Sequence, residues 1–259
     1  MFEQKEIKER VVAVGVSHID YFNILLSYYP KDLNENFKIV LFVDNRQNII
    51  DDVKKVISNH DIEIFNNAHI VVNEDMITEY SNRNKLSESG INFLNNFGAC
   101  FKLIVPIYLK RKFKTEQVFA LDDDIFIFKD LSYIFDSYEG WVFKKDNLFT
   151  LKSKNKHHII NEFNKIFGVN FNINDVSSLS LNSGSILYDC EFIDKDYKKH
   201  VNAFLDNSYI QQMYYNEHGF TSWTLEQRFQ QFNMIYLLNH KKDCVEFFGK
   251  DEVKMFTKN

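Results

Sequence analysis

A chain of 259 residues, 45% hydrophobic and 26% charged, is long enough to bury a sizeable core and too apolar to stay disordered. Its formal net charge of −5 argues against the basic surplus that strong, sequence-independent binding of a polyanion requires, and leaves room only for a local basic groove. The three cysteines, Cys100, Cys190 and Cys244, fall in no zinc-chelating or redox spacing and read as free thiols of a reducing compartment. The opening MFEQKEIKER mixes both charge signs and is no secretory signal, and no apolar stretch approaches the ~18 residues of a membrane span, so a cytoplasmic protein is expected. Aromatic residues make up 16% of the chain, and most must be core.

Val11 to Val16 is a continuous apolar run with β-branched residues, which predicts a strand buried on both faces of a parallel sheet; Ser17, His18 and Asp20 follow it. An amphipathic helix from about Asp20 to Tyr29 stops at Pro30, and Phe37 to Val43 reads as a second buried strand ending in Asp44 and Asn45. Strand, helix, strand is a βαβ opening. A helix over Ile49 to Asn59 is followed by two short strand candidates, Ile62 to Phe65 and His69 to Val72, and by a polar segment over 73–89 that reads as surface helix or loop. From Ile91 to Lys112 apolar residues recur at helical spacing despite Pro106, with a cationic end at 110–114 that suits a helix C-terminus.

Two apolar runs, Val118 to Leu121 and Ile125 to Phe128, then flank three carboxylates, Asp122, Asp123 and Asp124. Beyond them come a strand at Trp141 to Lys144, a polar helix near His157 to Phe167, and a strand at Ser185 to Tyr188 behind a Leu181-Asn182-Ser183-Gly184 turn. A helix over Leu225 to Asn233 and a late strand at Ile235 to Leu238 deliver Asn239 and His240. With no internal repeat and no Pro/Gly linker, the chain reads as a single α/β domain over 1–259.

Carboxylates between buried strands must reach solvent or be neutralised, because desolvating an unpaired charge costs several kcal/mol. A solvated acidic turn is one solution, and a hard divalent cation is the other. In a strand-turn geometry Asp122 and Asp124 point the same way and can share one ion, while Asp123 points elsewhere. Magnesium or manganese held so would also bind a diphosphate and neutralise its charge as the bond to it breaks.

The stretch FKLIVPIYLKRKFKTEQVFALDDDIFIFKDLSYIFD resembles the segment of GT-A glycosyltransferases, family 8 in particular, in which a helix with Ile-Pro or Val-Pro leads to a strand, a DXD motif, an apolar strand and an Asp-Leu pair. Leu181 to Leu187 is similar to the family's Asn-Ser/Ala-Gly element, which contacts the donor sugar and here is Asn182, Ser183 and Gly184. Glu226-Gln227 resembles its Asp-Gln motif at the reactive face of the sugar, and His240 sits where the family has a histidine as third metal ligand beside Asp122 and Asp124. Lys102 resembles a basic residue near the donor phosphates or sugar, and Asp123 is expected to meet the donor sugar or Lys102. Val16, Ser17, His18 and Asp44 fall where a GT-A fold reads the nucleoside, at the carboxyl ends of parallel strands.

The family's Gly and Lys-Pro-Trp element after the histidine is missing: Lys241, Lys242 and a lone Gly249-Lys250 follow His240. Each matching piece also has a structural reading: Asn-Ser-Gly is a common turn, Glu226 suits the first turn of a helix capped by Thr224, and an isolated histidine is more often not a ligand.

The resemblance implies a Rossmann-like, mostly parallel sheet flanked by helices, a nucleotide-sugar half over about 1–130 and an acceptor half over about 131–259. It implies transfer from a nucleotide-sugar, expected to be a UDP-sugar, to an acceptor hydroxyl, with manganese or magnesium as cofactor. Retention follows if family 8 is the right comparison; if the enzyme inverts, Glu226 is the first candidate for general base. The resemblance allows glycans, proteins, lipids or a hydroxymethylated DNA base as acceptor. Few prolines and many Asn, Lys, Ile and Phe residues fit an AT-rich microbe or phage and so a soluble acceptor, a glycan or such a DNA base, between which composition does not choose. Two other classes stay open: a phosphatase with Asp122 as nucleophile and Asp124 as acid, and a non-enzymatic calcium- or sugar-binding module.

Overall fold

The structure, a computed structural model, describes residues 9–29, 31, 37–44, 47–96, 101–145, 156–172, 181–215, 222–240, 245–249 and 252–255. Seven strands form the main sheet: β1 (Arg10–Val16), β2 (Phe37–Val43), β3 (His69–Val72), β4 (Gln117–Asp122), β6 (Trp141–Lys145), β7 (Leu181–Asp189) and β8 (Val245–Phe248), in the order β3-β2-β1-β4-β7-β6-β8. Strands β3, β2, β1 and β4 run parallel, β7 is antiparallel to both β4 and β6, and β8 is parallel to β6. A second, two-stranded sheet pairs β5 (Ile125–Ile127) with β9 (Val253–Met255).

Successive strand residues point to opposite faces, and both faces are covered. Val11, Ala13, Val40 and Phe42 enter one buried cluster, and Val12, Val14, Val16, Leu41 and Val43 enter the other. The second face carries α1 (Ile19–Tyr28), α2 (Gln47–His60) and α7 (Leu131–Asp136). The first carries α4 (Asn73–Asn84), α5 (Glu88–Asn96), α6 (Phe101–Phe113), α8 (Lys156–Phe167), α9 (Lys195–Leu205), α10 (Ser208–Tyr215) and α11 (Ser222–His240). Among the described residues no helix is long and apolar enough to cross a membrane. Cys190 is a buried free thiol that burial pushes up to about 12; Cys100 and Cys244 lie outside the described residues.

Three expectations are corrected. Ile62 to Phe65 is no strand: Glu63–Asn66 forms the short helix α3, which turns Ile64 and Phe65 into the core. The polar segment over 73–89 holds α4 and the start of α5, separated where Lys85 takes the left-handed conformation (φ 55°) and Ser87 Oγ accepts the Gly90 amide. Ile235 to Leu238 continues α11, which runs unbroken from Ser222 to His240. A short apolar run cannot by itself tell a strand from a helix buried on most sides, and Phe229, Phe232, Met234, Ile235 and Leu237 are all buried there.

Candidate active site

The acidic triplet lies at the carboxyl end of β4, beside the end of β1, where Gly15 is in register with Asp122. On its other side Leu121 pairs with Ser185 of β7. The β6–β7 ladder jumps from Phe143 opposite Ile186 to Lys144 opposite Asn182, so Ser183, Gly184 and Ser185 bulge out of register next to Asp122. The expected turn at Leu181 to Gly184 is thus an irregularity inside β7, which begins at Leu181. Asn182 Oδ1 accepts the Gly184 amide at 2.7 Å. A Cβ on Gly184 would stand 2.8 Å from Asn182 Oδ1, 2.9 Å from Ile125 Cδ1 and 3.2 Å from Asp122 Oδ2, so only glycine lets the Asp122 carboxylate approach this strand so closely.

The three carboxylates have separate surroundings. Asp123 is buried and turns toward β1, where its Oδ2 accepts the Ser17 and His18 amides, each at 2.6 Å, and the Ser17 hydroxyl at 3.3 Å. Burial raises its pKa, those amide bonds oppose the rise, and the Asp122 charge adds to it. Asp122 faces the bulge, and its Oδ1 is 2.6 Å from the Lys102 ammonium. Asp124 has one buried oxygen, Oδ1, without a hydrogen-bonding partner among the described residues. Burial, together with the Asp122 and Asp123 charges, pushes Asp124 up to about 6 against the pull of Lys102.

Lys102, on α6, reaches the site from beneath the bulge, and its ammonium also donates to the Ser183 carbonyl at 3.0 Å. Burial works against its charge, but Asp122, Glu226 and Asp124 outweigh that effect and hold its pKa above the ordinary value. Glu226, on α11, is fully buried. Burial pushes its carboxyl up to about 7; Lys102, Ser183 and Gln230 draw it down, and Asp122 raises it. Ser183 and Gln230 are near enough for that influence, yet neither Glu226 oxygen has a partner at hydrogen-bonding geometry among the described residues.

Val16 and Asp44 end the adjacent strands β1 and β2, or directly follow them, with Val16 in register with Val43. The Ser17 and His18 amides are occupied by Asp123, so Asp123 meets this turn and not Lys102, while the His18 ring is exposed, bonded through Nδ1 to Ser17 Oγ and packed on Tyr21. Thr224 is not the helix cap, because α11 begins at Ser222. Gln227 and His240 lie on α11, and their side chains fall outside the described residues, as do Lys241, Lys242 and Lys250. Two roles carry no sequence expectation. Asp130 caps α7 by accepting the Ser132 amide at 2.6 Å, a role its place before Leu131 could have suggested. Glu252 clasps the C-terminal strand to Tyr133, Tyr138 and the Gly249 amide, which no local pattern signals.

A divalent ion fits this chemistry in part. Among the described residues no three His, Cys, Asp or Glu side chains converge on one point. Asp122 and Asp124 supply two hard oxygen donors, and the unpartnered buried oxygen of Asp124 is the kind of group a cation satisfies.

No protein-family model matches the chain, and no curated protein matches it in sequence. Solved structures do match. The apo structure of WbbM, a bifunctional glycosyltransferase, superposes with a TM-score of 0.50 and 11% identity over 96% of this chain and 40% of that one. The apo form of mouse xyloside xylosyltransferase 1 gives 0.49 and 11% over 93% of this chain and 84% of that one. LgtC, a galactosyltransferase in complex with donor and acceptor sugar analogs, gives 0.45 and 12% over 92% and 72%. The chain spans well under half of WbbM, and at this identity the likeness speaks of fold alone. Taken with the seven-stranded, mostly parallel sheet and helices on both faces, it gives the chain the fold of the GT-A glycosyltransferases.

Proposed function

We propose that the protein is a metal-dependent glycosyltransferase that moves a sugar from a nucleotide-sugar, a UDP-sugar by preference, to an acceptor hydroxyl. The observation that carries this reading is the pair Asp122 and Asp124 at the carboxyl end of a central strand of a GT-A fold, with Lys102 and the Ser183-Gly184 bulge against it. Asp122 and Asp124, with His240 as third ligand, would hold manganese or magnesium, which when bound supplies a Lewis acid for the departing diphosphate. Asn182, Ser183 and Gly184 would line the donor sugar, with Glu226 and Gln227 at its reactive face. Val16, His18 and Asp44 would border the nucleoside, His18 offering an exposed ring for it. Asp123 would shape this nucleoside turn through the Ser17 and His18 amides.

Retention of anomeric configuration suits a site in which the fully buried Glu226 stands next to a lysine charge. The acceptor is read as a glycan or a hydroxymethylated DNA base. The test is hydrolysis of, or transfer from, a panel of nucleotide-sugars with manganese by the purified chain. Turnover should need the ion and fall by at least about a hundredfold in Asp124→Ala. Turnover unchanged in that variant, or insensitive to chelation, would overturn the metal assignment.

A further inference from the structure

The buried charges around Lys102 are unevenly shared. Its ammonium donates to Asp122 Oδ1 at 2.6 Å and to the Ser183 carbonyl at 3.0 Å. Glu226 acts on the same ammonium electrostatically, yet both of its oxygens are buried and unpartnered among the described residues. A buried carboxyl without a hydrogen-bonding partner either keeps its proton or calls for a cation. Lysine carries a compact charge on a flexible four-carbon stem, and can change partner without a change of backbone.

We propose that Lys102 is a built-in stand-in for the divalent cation, holding Asp122 while the metal is away and moving to Glu226 when the metal binds. This rests on the reading of Asp122 and Asp124 as metal ligands. A divalent ion at Asp122 would repel an ammonium only 2.6 Å from that carboxylate. The Ser183 carbonyl gives the lysine a fixed pivot, and Glu226 gives it an acceptor already desolvated. Two consequences follow from the exchange. Lys102 competes with the metal, so the resting protein binds it less tightly than its carboxylates alone would. Glu226, paired with the arriving ammonium, then serves as a positioning residue and not as a base, in keeping with retention.

Titration of the full chain with Mn2+, read by calorimetry and by the electron paramagnetic resonance signal of free Mn2+, tests the exchange without reference to turnover. Lys102→Met should bind Mn2+ about tenfold more tightly, and Glu226→Gln about tenfold more weakly, because the displaced ammonium loses its acceptor. In the double variant the Glu226→Gln penalty should vanish, since no lysine remains to be received. Equal weakening by Glu226→Gln with and without Lys102, or no tightening in Lys102→Met, overturns the exchange and leaves the metal site standing. Absence of Mn2+ binding in the folded wild type overturns both. Should Lys102→Met not fold, a crystal structure of the wild type with Mn2+ decides: Lys102 Nζ on the Glu226 carboxylate supports the exchange, and Nζ still on Asp122 overturns it.

Discussion

Asp123 Oδ2 accepts the Ser17 amide at 2.6 Å, fastening the turn after β4 to the turn after β1 across 106 positions of sequence. The same oxygen takes the His18 amide, just before α1, where a carboxylate also faces the positive end of the helix. Asp123→Ala would leave two amides without their acceptor in a part-buried setting. The expected loss is about 2–4 kcal/mol in urea denaturation, roughly twice that of a neutral hydrogen bond. A loss below about 0.5 kcal/mol would mean that water replaces the carboxylate there.

Gly184 is the point where β7 leaves room for Asp122. In Gly184→Ala the new methyl meets Ile125 Cδ1 at 2.9 Å and Asn182 Oδ1 at 2.8 Å. Ile125 is fully buried and has little freedom to retreat, so Asp122 or the bulge must shift. Overpacking of this kind costs about 1–3 kcal/mol. The expected signature is a modest fall in thermal midpoint with a larger fall in Mn2+ affinity. Intact Mn2+ affinity would show that the Asp122 carboxylate accommodates the methyl.

The parts of this fold that were legible are those whose chemistry is local. Val11 to Val16 and Ile39 to Val43 are apolar without interruption because both sides of the sheet are covered, and they read directly as buried parallel strands. The Asp122 to Asp124 turn was legible for the same reason: carboxylates stand out between two buried runs. Ile235 to Leu238 was misread because α11 is buried on most sides and shows no helical stripe. Asn182 to Gly184 has turn chemistry, but Asn182 pairs with Lys144 of β6 and Ser185 with Leu121 of β4, so the segment between them bulges inside one strand. Lys102 on Asp122, Asp123 on Ser17 and Glu252 on Tyr138 join residues far apart in the chain, and no spacing rule announces such pairs.

The Glu252 clasp holds β9 against β5, the strand that follows Asp124. Its carboxylate accepts the Tyr133 hydroxyl at 3.1 Å, the Gly249 amide at 2.8 Å and the Tyr138 hydroxyl. Burial works to raise its pKa, but the Tyr138, Gly249 and Tyr133 bonds, with Lys129, outweigh it and hold Glu252 below its ordinary value. The clasp therefore contributes fully above the pKa of a free glutamate and is lost as pH falls through the lower folded value. Glu252→Ala should cost about 1–3 kcal/mol and raise hydrogen exchange at the Phe128 amide, which bonds to the Glu252 carbonyl, and across β5. Unchanged exchange in β5 would show that the backbone ladder alone holds the two strands.

Glu226 carries the opposite sign. Its folded carboxyl lies at about 7 against 4.5 for a free glutamate, so the folded chain retains a proton that the unfolded chain releases. Between those values the folded state binds more protons, and stability must fall as pH rises from about 4.5 to about 7. The difference of 7 − 4.5 = 2.5 corresponds to about 3 kcal/mol as an order of magnitude. Urea denaturation in the presence of a chelator, from pH 4.5 to 7.5, should show this decline in the wild type, whereas Glu226→Gln should show a shallower one, with Asp124 at about 6 still contributing, and be the more stable of the two at pH 7.5. Parallel curves for the two proteins would mean that Glu226 is already ionised in the folded, metal-free state.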